Sequence, residues 1–302
     1  MFNLTDAILS SSDFKAFEAD FKAGTHKHSY LVVSQDSALR TAFVNELAVL
    51  ILGGREMVLA GSHPDLTLVS GNAKGNIIVE DVLLALDKIF YKPSISENKV
   101  FIINAKTSIS ERVQNKLLKT LEEPPANTII LVSVPSLAGV INTVQSRCEK
   151  LILKPLSAEA LANLGYNQEV ILKSERELSL CEKFTLEGDK FKLVEDCLTN
   201  LKKSSQIIEY SRKLSKTKEE ASEYLNYFAH IFNLLIKDNL SSSNTVYPSA
   251  LVAEFPLMVL SECATMLDAA KQKLEANCQP GLVIDEFLFK MLEVKYLCKN
   301  NI

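Results

Sequence analysis

The chain has 302 residues, 47% apolar and 23% charged, a balance that supports buried cores and excludes a disordered protein. Its 33 basic and 37 acidic side chains leave a net charge of −4, which excludes a protein built mainly to grip nucleic acid through a cationic surface. At roughly 100–200 residues per domain, two or three domains are expected.

The opening stretch "MFNLTDAILSSSDFKAF" has no basic region ahead of an apolar block, so no secretory signal is expected. No apolar run approaches the roughly 18 residues of a membrane span, and a soluble cytoplasmic protein is expected. From residue 28 to about 155, short apolar runs alternate with helical patterns. "YLVV" (30–33), "DLTLV" (65–69), "NIIV" (76–79), "KVFII" (99–103), "TIILVSV" (128–134) and "CEKLILKPL" (148–156) predict strands. "LRTAFVNELAVLIL" (39–52), "VEDVLLALDKIFYK" (79–92) and "SERVQNKLLKTLEE" (110–123) predict helices. Ser108 with Glu111 reads as a capping box for the last of these, Val113, Leu117 and Leu121 as its apolar stripe, and Pro124–Pro125 as its stop. Such alternation predicts a mostly parallel sheet covered by helices on both faces.

After "KPLSAEAL" the strand patterns end. Short helical pieces follow near 157–188, and from about 189 the spacing of Phe191, Val194, Cys197, Leu198 and Leu201 predicts helices only, continued by "NYFAHIFNLLI". "SSSNTVYPS" (241–249) predicts a loop. The lysine-rich "KKSSQIIEYSRKLSKTKEE" is mixed in sign and reads as a solvated helix face in preference to a DNA-facing patch. The six cysteines form no C-x-x-C pair, so reduced, mostly buried thiols are expected and a metal site is not.

One stretch bears on chemistry. "SQDSALRT" (34–41) lies between a predicted strand and a predicted helix, where a phosphate loop of the form G-x-x-x-x-G-K-[ST] belongs. Ser34 and Leu39 stand at the glycine positions, Arg40 at the lysine, and only Thr41 fits. Glycines there adopt backbone angles closed to other residues and let amides approach phosphate, while the lysine neutralises charge. A planar guanidinium is not equivalent to that point charge.

"NKLLKTLEEPP" (115–125), followed about twenty residues on by "SRC" at Ser146, Arg147 and Cys148, resembles the bacterial clamp-loader subunits, which are AAA+ proteins. "HSYLVV" (28–33), "AGSHPDLTLV" (60–69) and "KVFII" match that family in order. The resemblance implies an AAA+ α/β domain over 1–156, a small helical lid over 157–188 and an all-α collar domain over 189–302. It makes Ser34, Ser37 and Leu39 the three positions usually held by glycine in active members. It also makes Asn104 and Ala105 the positions of an acidic pair that would hold Mg²⁺ and polarise water, work that an amide and a methyl group cannot do. Neither ATP nor Mg²⁺ is therefore expected. Many relatives carry a four-cysteine zinc module ahead of "HPD"; the corresponding "LGGREMVLAGSHPDL" has no cysteine, and zinc is not expected. His63 reads as a local packing or turn residue.

What survives in the resemblance is Arg147, which would reach across a subunit interface to the γ-phosphate held next door, with Ser146 and Cys148 as local support. The implied partners are gamma/tau and delta subunits, with the sliding clamp and primed DNA met only through the assembled complex, and no membrane. Two alternatives stand beside this degenerate, non-hydrolysing role: an ATP-hydrolysing gamma/tau-type subunit, and a scaffold without catalytic part.

Overall fold

A computed structural model describes residues 3–72, 75–241 and 246–300. The chain divides into two compact units, residues 1–182 and 183–302. The first opens with helices α1 (Leu4–Ser10) and α2 (Ser12–Ala23), then runs β1 (Ser29–Val33), α3 (Ser37–Leu52), α4 (Arg55–Leu59), β2 (Leu66–Ser70) and α5 (Val79–Ile89). It continues with β3 (Lys99–Asn104), α6 (Glu111–Glu122), β4 (Thr128–Val134), α7 (Asn142–Gln145), β5 (Glu149–Ile152), α8 (Ala158–Asn163), α9 (Gln168–Lys173) and the start of α10 (Leu178–Leu186).

The five strands form one sheet in the order β2-β3-β4-β1-β5, and every pairing is parallel. Residues of β1, β3 and β4 are buried almost throughout, as continuous apolar runs require when helices cover both faces. Alternate side chains go to opposite sides. Tyr30, Val32, Val100, Ile102, Ile129 and Leu131 pack with Phe14, Phe17, Phe43 and Leu47 of α2 and α3. On the other face Leu31, Phe101, Ile103, Ile130 and Val132 meet Val82 and Leu86 of α5 and Val113, Leu117 and Leu121 of α6. A third, smaller cluster of Leu161, Ile171, Leu178 and Cys181 belongs to the short helices α8–α10 and takes Ala38 of α3 against it.

Two expectations need correction. "NIIV" is not a strand: Asn76–Ile78 is a short link without regular structure that leads into α5, with Asn72 N–H on Asn76 O (2.9 Å) before it. Its apolar character comes from Ile77, which is buried in the sheet core. The cap of α6 is Ser110, whose hydroxyl accepts from Val113 N–H, and not Ser108; the intervening Ile109 is drawn into the core. Pro124 and Pro125 do follow the end of that helix.

The second unit is helical: α11 (Gly188–Asn200), α12 (Ile207–Leu214), α13 (Lys218–Leu240), α14 (Ser249–Glu254), α15 (Leu257–Glu275) and α16 (Pro280–Asn300). Phe191, Val194, Cys197, Leu198 and Leu201 are all buried, on the predicted spacing. Its core includes Phe228 and Phe287 in edge contact, 5.1 Å between centroids. In the lysine-rich stretch, Lys202 pairs with Glu254, and Lys213 with Glu209 one turn away. Part of the predicted loop "SSSNTVYPS", residues 242–245, lies outside the described residues. Four of the six cysteines are buried, Cys278 is exposed and all six are free thiols. No helix among the described residues is long and apolar enough to cross a membrane.

Candidate functional site

Parallel strands end together, and the carboxyl ends of β1, β3 and β4 bring Ser34, Asn104, Ala105 and Ser133 to one edge of the sheet. Asn104 faces Ser133 in register, Ser34 N–H bonds Val134 O (3.3 Å), and Ala105 N–H bonds Ser133 O (3.0 Å). Loop 34–36 leaves β1 here and enters α3, in the crevice where open α/β sheets bind ligands.

Arg40, in the first turn of α3, turns inward and is only 1% exposed. Its Nε donates to Ser133 Oγ (3.1 Å) and its Nη2 to Ala105 O (2.8 Å). Nη1 donates to the carbonyls of Ser34 and Gln35, the latter at 3.3 Å. The fork of the guanidinium, which a lysine lacks, lets one side chain reach the ends of all three strands. A phosphate loop turns amide donors toward its ligand; this loop turns two carbonyl acceptors toward its own cation. Burial lowers the Arg40 pKa, while the charges of Asp36 and Glu177 act to raise it.

Asp36 occupies the other half of the cradle. It is the N-cap of α3, and its Oδ1 accepts from Ala38 N–H and Leu39 N–H, both at 3.1 Å. These are donors that a helix start offers to a phosphate. The same carboxylate accepts from Leu178 N–H and from Ser179 N–H (3.2 Å) at the start of α10. Glu182 is close enough that, after burial, the charge of Asp36 raises its pKa. Two carboxyl groups, Asp36 and Glu182, thus stand near the loop beside the Arg40 guanidinium.

Thr41 and Asn104 are joined directly. Asn104 Nδ2 donates to Thr41 Oγ1 (3.0 Å), which itself donates to Ser37 O (2.8 Å). In P-loop enzymes a Mg²⁺ ion bridges the hydroxyl and the acidic residue at these two places; here a neutral amide hydrogen does so. Ala105 is fully buried. Ser37 and Leu39 are ordinary helical residues of α3, with Leu39 packed in the core. Among the described residues no group of three or more His, Cys, Asp or Glu side chains is placed to hold a metal ion.

Arg147 lies away from this cluster, after α7. It is one-third exposed, its Nη1 donates to Thr143 O (2.7 Å) and its Nη2 pairs with Glu122 at the end of α6. Ser146 caps α7, its hydroxyl on Thr143 O (3.1 Å), and Cys148 is buried in the sheet core, which anchors the arginine from both sides. His63 accepts from Asp65 N–H at Nδ1 (3.1 Å), and the Asp65 carboxylate takes the amides of Ser94, Ile95 and Ser96. Both tie loops together. Asp36 and Glu122 escaped the sequence reading. An aspartate just before a helical pattern is a cap signal that could have found the first; nothing in "KTLEEPP" marks the second as the partner of an arginine 25 residues away.

A family profile described as DNA polymerase III, delta subunit, matches residues 10–157, the segment that carries both the loop and Arg147. Over this segment the chain is similar to the delta-prime-type clamp-loader subunits of DNA polymerase III. It is 26% identical to the delta' subunit of Escherichia coli K12 over 177 residues, covering 54% of this chain and 53% of that one. To the delta' subunit of Bacillus subtilis 168 it is 32% identical over 112 residues, 37% of this chain and 33% of the relative. A gamma subunit from Buchnera aphidicola of Schizaphis graminum is 35% identical over 98 residues, 32% of this chain and 27% of that one. These matches span about a quarter to a half of the relatives' lengths. In fold the chain is similar to a gamma subunit-related protein of Thermotoga maritima, with a TM-score of 0.56 at 17% identity over 92% of this chain and 99% of that one.

Proposed function

We propose that this clamp-loader chain is a non-hydrolysing stator subunit that helps load the sliding clamp onto primed DNA and lends Arg147 to ATP held by a neighbour. The observation that carries the first half is the inward turn of Arg40 onto Ser133, Ala105 and the loop carbonyls. With Asp36 on the helix amides and Asn104 on Thr41, the side chains present do not suit Mg·ATP: a triphosphate entering here would meet carboxylates and carbonyl oxygens, and the metal would meet no carboxylate at 104 or 105. The second half is supported by the exposure of Arg147 and by its position between an anchored Ser146 and a buried Cys148. A guanidinium at a γ-phosphate stabilises the charge that develops in phosphoryl transfer. Gamma/tau and delta subunits are the partners in this reading, and the clamp and DNA are met through the complex.

The test is Arg147→Ala in an assembly reconstituted with an ATP-binding gamma subunit and a delta subunit. ATP turnover at the adjoining site is expected to fall by on the order of 10³ or more with assembly intact. Unchanged turnover and clamp loading would leave only a scaffold. Gamma and tau proteins also match this chain; a hydrolysing role of that kind would require the purified subunit to turn over ATP by itself.

A further inference from the structure

We propose that Asp36 is an internal stand-in for a bound phosphate, which clasps the short-helix segment 158–182 to the degenerate loop so that this segment keeps its place with no nucleotide present. The proposal rests on the nucleotide-free reading of the loop and is independent of any role for Arg147. One carboxylate, 4% exposed, receives four backbone N–H groups from the starts of two helices 140 residues apart in the chain. Where phosphate oxygens would collect the amides of a loop and its following helix, Asp36 collects those of α3 and adds those of α10.

The backbone ahead of α10 is shaped for this contact. α9 ends with Glu175 N–H on Leu172 O and Arg176 N–H on Ile171 O, both 3.2 Å, a closing turn in which glycine is usual at the left-handed position. Here Glu175 (φ +55°) and Arg176 (φ +67°) are both left-handed. Two consecutive side-chain-bearing residues in that region persist only where surrounding contacts over-determine them. The contacts that do so are the Asp36 carboxylate on Leu178 and Ser179, and the packing of Leu178, 2% exposed, with Leu161, Ile171 and Cys181. Ala38, two residues on from Asp36, lies against the same cluster. The loop and the segment therefore form one unit fixed by a charge the protein carries itself.

The experiment is hydrogen exchange with mass spectrometry on the full chain, comparing wild type with Asp36→Ser and Asp36→Asn. Serine keeps a cap for α3 but supplies no second oxygen for α10; asparagine keeps one acceptor oxygen and no charge. Peptides covering 168–182 are expected to exchange on the order of tenfold or more faster in Asp36→Ser, with Asp36→Asn between it and wild type. Peptides of β1, β3 and β4 are expected to hold their protection. In wild type, millimolar Mg·ATP is expected to leave exchange over 158–182 unchanged. If Asp36→Ser leaves 168–182 at the wild-type rate, or loses protection evenly over the whole sheet, the latch is overturned while the nucleotide-free reading stands. If Mg·ATP protects 158–182 in wild type, both fall together. Should the serine variant not fold, the asparagine variant decides on the same peptides.

Discussion

Arg40→Ala is the sharpest perturbation of the degenerate loop. The substitution removes a buried guanidinium that donates to three backbone carbonyls and one hydroxyl, and it leaves those four acceptors facing a void. Hydrogen bonds to a charged group contribute about 1.5–3 kcal/mol each, a gross loss of roughly 6–12 kcal/mol. Against this stands the desolvation of the guanidinium, several kcal/mol, which the variant no longer bears. A net destabilisation of about 3–5 kcal/mol is expected, since buried acceptors left without a donor cost about 1–3 kcal/mol each. Arg40→Lys keeps the charge but cannot span Ser133, Ala105 and Ser34 at once, so it is expected to fall between. Because the chain has two compact units, a single denaturation midpoint is a poor measure. Exchange protection of β1, β3 and β4 in ligand-free protein reads the effect directly. A loss below about 1 kcal/mol would mean that Arg40 is not a structural plug, and that it is free to serve a phosphate.

Asn104→Asp restores one carboxylate to the end of β3, yet it is expected to yield no ATP hydrolysis and no saturable Mg·ATP binding, since Arg40 and Asp36 still fill the cradle; turnover by this variant would refute the account of the loop. Burial pushes the Asp65 carboxyl up, but the amides of Ile95, Ser94 and Ser96 outweigh it and hold the pKa below the ordinary 3.8. A lowered folded pKa gives stability that is present above 3.8 and lost as pH falls through the lower folded value. The stability gap between wild type and Asp65→Asn is therefore expected to be flat from neutral pH down to about 5 and to close below about 4, and a gap that widens in acid would contradict this. Burial also pushes the thiols of Cys148, Cys197 and Cys263 up to about 12. Iodoacetamide at mildly alkaline pH is expected to modify the exposed Cys278 first and to spare these three in native protein, checked by peptide mass spectrometry.

The parallel sheet was legible because β1, β3 and β4 carry unbroken apolar runs, a pattern that only strands buried on both faces require. The helix over 111–122 was legible from Val113, Leu117 and Leu121 and from the prolines behind it. "NIIV" misled because Ile77 and Ile78 in a short link, followed by Val79 at the start of α5, have the composition of a strand; Ile77 is buried in the core and Val79 packs against it. The cap at Ser110 was missed because Ser108 offered the more familiar spacing to Glu111. Departure from the phosphate-loop pattern could be read at Ser34, Leu39 and Asn104 one position at a time. What replaced it could not. The bonds from Arg40 to Ser133 and Ala105, and from Asp36 to Leu178, join residues 65 to 142 positions apart, and local patterns hold no record of such contacts. The same holds for Glu122 beside Arg147.

In the proposed function the protein's own carboxylate, Asp36, and guanidinium, Arg40, fill the place of a phosphate. The most direct measurement is an equilibrium titration of the purified wild-type chain with Mg·ATP and with ATP alone. No saturable binding is expected up to about 1 mM, a free energy weaker than roughly −4 kcal/mol. A single-site isotherm in the micromolar range, lost in Thr41→Ala, would contradict the account.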